Sequence, residues 1–169
     1  MEPIRELSDT KELHLAYLDY YRSVVEDKLR GLSEEDLRHS RLPSGWSPLE
    51  LLKHLVFMER RWFRWGINAE PVDHPWGDSG DDSSGRWQLS VDDDLESLLA
   101  ALHEGAESTR VILNGVSLQE RGKVGGRFNA ENVASVNWVC FHVLQEYARH
   151  AGHLDIVREL ADGSTGETA

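Results

Sequence analysis

The stretch SVNWVCFHVLQEYARHAGHLDIVRELA, Ser135 to Ala161, decides how this chain is read. Val139, Val143, Tyr147, Leu154, Val157 and Leu160 recur at the three-to-four spacing of one helix face. His142, Glu146, His150 and His153, spaced four, four and three, fall in the middle of that face. Burying a carboxylate and imidazoles among apolar side chains is costly unless something pairs with them. A divalent metal is one such partner, because neutral imidazole and carboxylate are ligands it favours. Internal hydrogen bonding is the other.

Ser135 can cap this helix, and Asp162-Gly163 ends it. The clearest helix start lies upstream. Ser47 is a cap, Pro48 fits the first helical position, Glu50 completes a capping box, and Trp46 and Leu51 take the staple positions. The stripe that follows is Leu51, Leu55, Met58 and Trp62, with His54 on its flank at the core edge. An earlier helix opens at Asp9, with Glu12 three residues on. It carries Leu13, Tyr17, Tyr20, Tyr21, Val24 and Leu29 and stops at Gly31. A short turn of helix around Ser33–Leu37 follows. Another helix begins near Ser90, with Asp93 at the box position and Leu95, Leu98, Leu99, Leu102, Ala106 and Leu113 on its stripe.

Two long loops complete the chain. The first, Asn68 to Leu89, holds Trp76 and Trp87, which are expected to fold back on the body. Its acidic, glycine-rich part, Gly77–Gly85, is expected to be flexible. The second, Gly115 to Asn129, holds Arg121, Lys123 and Arg127, the most basic stretch of the protein and a candidate anion-contacting loop. The predicted fold is all-α, an antiparallel four-helix bundle with two long loops. In such bundles metal sites are built from side chains on facing helices. The tail Ser164–Ala169 is expected to be disordered.

A chain of 169 residues suits one domain with a sizeable core. The net charge of −12 and pI near 5.0 argue against nucleic acid and against anionic membranes, both of which need basic footing. No apolar run approaches the roughly 20 residues of a membrane span, and the start MEPIRELSDTKEL lacks the apolar core of a secretory signal. Cys140 is the sole cysteine, which rules out an intramolecular disulfide. Its place just off the ionisable stripe suggests a small core residue rather than a reactive thiol. The expectation is a cytoplasmic protein.

Glu146 and His150, four apart, come to one point on the helix surface. His54 can supply a third ligand from the facing helix, and three protein ligands leave a position open, as in catalytic sites. His142 and His153 flank the cluster as alternative ligands or as groups that orient the ligands. His14, His39, His74 and His103 are expected at the surface. H-E-x-x-H, G-x-S-x-G and the glycine-rich phosphate loops are absent, and no residue is marked as a catalytic nucleophile or base.

The segments PSGWSPLELLKHLVFMERRWF (Pro43–Phe63) and SVNWVCFHVLQEYARHAGHLDIVRELADGSTG (Ser135–Gly166) resemble the DinB-like superfamily of metal-binding four-helix proteins. The nearest branch is the one containing mycothiol-dependent enzymes. The resemblance implies one DinB-like domain over residues 1–169, and a divalent metal held by His54, Glu146 and His150. Many members have histidine where this chain has Glu146, whereas the mycothiol-dependent ones resemble it in carrying glutamate. That added charge widens the choice from zinc, the first expectation, to nickel, iron or manganese. His153 lies where other members often have glutamine, which implies an orienting role. A homodimer is compatible with the resemblance.

The first functional reading is therefore a metal-dependent thiol S-transferase. A mycothiol-like thiol, held deprotonated at the metal, would attack an electrophile, giving conjugation in detoxification or thiol-assisted isomerisation. Arg121, Lys123 and Arg127 would contact polar groups of the thiol. The second reading is a non-enzymatic metal-binding stress or scaffold protein, which would recruit His142 or His153 as a fourth ligand. The third is a bundle without metal, its stripe closed by internal hydrogen bonds.

Overall fold

Short polar caps divide the chain into helices. The side chains of Asp9, Ser33, Ser47, Asp94 and Ser135 each accept a backbone N–H from three residues ahead. Each thereby satisfies a donor that the first turn of a helix leaves free. In the computed structural model, which describes residues 2–80 and 85–166, these caps open α1 (Thr10–Arg30), α2 (Glu34–Arg38), α3 (Pro48–Arg60), α4 (Leu95–Asn114) and α5 (Val136–Asp162). The Ser47–Glu50 capping box is complete in both directions. No strand forms among the described residues, only isolated bridges such as Ser79–Trp87 and Arg121–Ser135. The chain is all-helical. α1 packs on α5 and α4, and α3 packs on α4 and α5, around a core that includes Leu18, Leu51, Leu55, Leu102 and Val143.

Part of the loop expected to be flexible, residues 81–84, lies outside the described residues, as do residues 167–169 of the tail. Ser164, in the tail, donates its N–H to Asp162 Oδ1 (2.9 Å) and accepts from Arg158 (3.1 Å).

Three expectations need correction. The helix placed near Ser90 starts at Leu95 instead. Ser90 and Asp93 do pair, but they close a turn: Ser90 N–H donates to the Asp93 carboxylate (2.5 Å), which also binds Lys53 Nζ (2.7 Å). The buried face of α1 is His14, Leu18, Arg22, Val25 and Leu29, one residue out of step with most of the predicted apolar series. The tyrosines of that series are half-buried. His14, expected at the surface, is buried, with Nε2 3.0 Å from Asn137 Oδ1 and its ring edge-on to Phe141. His39, His74 and His103 are exposed as expected.

The register of α1 follows from Arg22. Its guanidinium is buried against Glu59 of α3, with Nε 3.1 Å and Nη2 2.5 Å from the carboxylate. Thr109 of α4 and Tyr147 of α5 donate their hydroxyls to the same carboxylate, each at 2.5 Å. One buried carboxylate therefore joins all four long helices. The full hydrogen-bond complement offsets the cost of burying both charges.

α3 does not end at Arg60 but continues as a π-helix, Arg61–Ile67, closed by Asn68 N–H to Phe63 O (3.2 Å). The second loop docks on its end, with Arg127 N–H on Trp65 O (3.1 Å) and Lys123 N–H on Ile67 O (3.0 Å). The backbones approach so closely that a Cβ on Gly126 would lie 2.1 Å from Trp65 O and 2.8 Å from Ala69 Cα. Only glycine fits there.

Glu59→Gln keeps the shape of the central side chain but strips the Arg22 guanidinium of its buried carboxylate, leaving it only the half-exposed Asp19 at 2.7 Å. Urea denaturation is expected to show a loss of about 3–5 kcal/mol, the usual cost of breaking a buried ion pair.

Candidate metal centre

α3 presents His54, and α5 presents Glu146 and His150 on successive turns. One ligand atom from each lies within 4.8 Å of the others. Glu146 Oε2 and His150 Nε2 are 3.3 Å apart. Ligands at roughly 2.1 Å around a tetrahedral ion stand about 3.4 Å from one another. Among the described residues, no hydrogen bond reaches the mostly buried Glu146 carboxylate. Its nearest polar neighbours are imidazole nitrogens, His150 at 3.3 Å and His142 Nε2 at 4.0 Å. A desolvated carboxylate without its own donors is costly, and a shared cation removes that cost. The donor set fits a divalent metal.

Each imidazole is held by its other nitrogen. His54 Nδ1 is 3.0 Å from Asp78 Oδ2, which leaves Nε2 free to hold a metal. Asp78 is 1% exposed and is gripped by Arg61, with Nη1 2.5 Å and Nη2 3.0 Å from its two oxygens. Burial opposes the Asp78 charge, but the hydrogen bonds from His54 and Arg61 outweigh it and hold the carboxyl below the usual carboxylate range. Such carboxylate–histidine pairs fix the tautomer and orientation of metal ligands. His150 Nδ1 faces His153 Nδ1 at 3.2 Å. With the proton on His150 Nδ1, its Nε2 lone pair turns toward Glu146. Burial first, then the charges of His54, His153 and Arg149, pushes His150 down to about 3, so it is neutral at pH 7, as a ligand must be.

The first loop folds back over this cluster, as its tryptophans led us to expect. Trp87 stacks on His54 with ring centroids 4.3 Å apart and reaches within 5.5 Å of the His150 ring. Trp46 lies 5.8 Å from His153. His142 stands to the other side, parallel to Trp138 (5.0 Å, 7°) and beside Trp62 (4.4 Å). Beyond it opens a cavity of about 570 Å³ that Arg121 and Arg127 help to line. His54, Glu146 and His150 do not line that cavity, and neither does Lys123, whose Nζ lies 3.3 Å from Asn68 Oδ1. Cys140 is fully buried, which pushes its thiol up to about 12 and removes it as a nucleophile.

Sequence reasoning did not single out Asp78 or Arg61. Asp78 sits in the acidic stretch read as flexible. The available signal was chemical: a ligating histidine needs a partner for its second nitrogen, and that stretch was a ready source of carboxylates.

The sequence model of one protein family, described as mycothiol-S-transferase, matches residues 13–163. The chain belongs to this family. It is the mycothiol-dependent, DinB-like branch that the two motif segments resemble, and the match carries the likeness through both loops. The mycothiol-S-transferase match spans His54, Asp78, Glu146, His150 and the whole aromatic surround. Curated proteins give no match. Among the described residues, no helix is long and apolar enough to cross a membrane.

Two outcomes follow from the geometry. Asp78→Ala is expected to weaken metal binding about 10–100-fold in competition with a chromophoric chelator, because His54 loses its orienting partner. In chelator-treated protein, stability should fall as the pH drops from about 6.5 toward 3. The unfolded chain takes up a proton near 6.5 that folded His150 refuses until about 3. Urea midpoints at several pH values measure this slope, and His150→Gln is expected to flatten it.

Proposed function

We propose that this protein is a metal-dependent thiol S-transferase. One observation carries the reading: His54, Glu146 and His150 converge to within 4.8 Å while Asp78 holds the spare nitrogen of His54. In this reading residues 1–169 form one domain. Its four long helices, α1, α3 with its π-helical extension, α4 and α5, make an antiparallel four-helix bundle.

A divalent ion held by the three side chains, zinc first and nickel, iron or manganese as alternatives, supplies the Lewis acidity that keeps a small thiol deprotonated. The chain does the rest. Asp78 and Arg61 lock the His54 ring, and His153 orients His150 through the Nδ1 contact. Trp87 covers the His54 face and keeps water off it. Cys140 cannot serve as the thiol, so the nucleophile comes from outside. The family description names mycothiol, and we take the cosubstrate to be mycothiol or a close analogue. The thiolate sulfur bonds to an electrophilic carbon as that carbon's leaving group departs with the electron pair, which gives a conjugate, the chemistry of detoxification. An acidic chain acting on small molecules, alone or as a homodimer, suits the cytoplasm and needs neither nucleic acid nor membrane.

A purely structural metal would be closed by a fourth protein ligand. Of the two available, His153 turns to His150 (3.2 Å), and His142, whose Nε2 stops 4.0 Å from Glu146, lies outside the group of His54, Glu146 and His150. This favours the enzyme over the scaffold.

Elemental analysis of purified protein beside His150→Ala is the test, followed by a mycothiol-consumption assay against a panel of electrophiles. Near one equivalent of divalent metal is expected, lost in the variant together with thiol consumption. No metal uptake would overturn the centre. Metal uptake without thiol consumption would overturn the transferase.

A further inference from the structure

The cavity beyond His142 has a composition unusual for so acidic a chain. Its walls are four tryptophans, Trp62, Trp65, Trp76 and Trp138, with Phe128 behind them. Trp62 and Trp65 come from the π-helix, Trp138 from the first turn of α5, and Trp76 from the first loop. Its volume of about 570 Å³ lies within the range of small-molecule sites, roughly 300–1,000 Å³.

Two cations edge these walls. The Arg127 guanidinium lies 3.9 Å from the centre of the Trp62 ring and 5.4 Å from that of Trp76. Among the described residues it makes no ion pair and no side-chain hydrogen bond. The Arg121 guanidinium donates to one backbone carbonyl, Val133 O (3.0 Å), and among the described residues also pairs with no carboxylate. Acidic residues outnumber basic ones 30 to 18 in this chain, and Arg22, Arg30, Arg38, Arg41, Arg61, Arg64, Arg110 and Arg158 all have acidic partners. Among the described residues Arg5, Arg60 and Arg149 also lack a carboxylate partner; what sets Arg121 and Arg127 apart is that both line one aromatic cavity, which suits it to an anion. A guanidinium grips a planar carboxylate with two parallel hydrogen bonds, and indole faces bury a flat ring.

We propose that this cavity binds a flat aromatic carboxylate, with its ring against the tryptophan-lined wall and its carboxylate on Arg127 and Arg121. The cavity shares a wall with the metal centre, because Trp62 and Trp138 pack on His142, whose Nε2 is 4.0 Å from Glu146. Where the bound ring carries a leaving group, the thiolate sulfur bonds to that carbon as the leaving group departs with the electron pair, an assignment that rests on the transferase reading above. Binding itself does not.

Isothermal titration of the purified protein, without thiol, with 2-naphthoate and its neutral counterpart 2-naphthalenemethanol tests the proposal. Wild type is expected to bind the anion at least tenfold more tightly. Arg127→Gln should erase that preference while leaving the neutral probe within about threefold. Trp76→Ala, a truncation at a half-exposed position, should weaken both probes. His150→Ala should lose metal and keep the probe, which separates this site from the transferase chemistry. Equal affinity for the two probes in wild type, or a preference that survives Arg127→Gln, would overturn the proposal. Loss of naphthoate in His150→Ala would move the anion to the metal and overturn it as well.

Discussion

The Glu59 carboxylate is the constraint from which the site geometry descends. It accepts from Arg22, Thr109 and Tyr147, so it fixes the rotation of each long helix about its own axis. On α5 the consequence is direct. With Tyr147 turned inward to reach Glu59, the preceding residue, Glu146, is displaced by about 100° around the helix, and His150 follows it one turn later. On α3 the same anchor leaves His54, five residues earlier, turned toward α5. Apolar contacts alone would tolerate slippage among similar side chains, whereas a fully bonded buried carboxylate has one arrangement.

Much of this was legible in the sequence. Helix starts carry their own chemistry in the capping side chains, and Asp9, Ser47 and Ser135 were readable for that reason. The pair Glu146 and His150 was readable because helical spacing alone puts the two together. His54 needed a second helix, but its place beside a strong apolar stripe was enough. The failures have a common cause. The α1 face was read from apolar residues, yet its buried positions include His14 and Arg22, whose partners Asn137 and Glu59 lie 123 and 37 residues away. Polar burial is decided by such distant partners, and no local pattern announces it. Asp93 shows the converse: the local pairing with Ser90 was real, but it closes a turn because Asp94 holds the better cap.

The π-helix was invisible for a related reason. Arg61–Ile67 looks like a continuation of α3, and the widening becomes favourable only where the second loop can dock on the Trp65 and Ile67 carbonyls. A π segment shifts the angular position of every residue after it. Arg61, where the segment begins, points inward to Asp78, and Trp62 and Trp65 within it line the cavity. One short segment thus reaches both the carboxylate behind His54 and the aromatic wall beside His142.

The stem of the first loop is cross-linked by backbone bonds, Gln88 N–H to Asp78 O and Gly80 N–H to Arg86 O, each 2.9 Å. Asp78 and Trp87, which grip His54 from two directions, therefore belong to one stapled unit. A change at either arm of that stem therefore reaches both sides of the His54 ring at once, and the imidazole can be released only by undoing the whole unit.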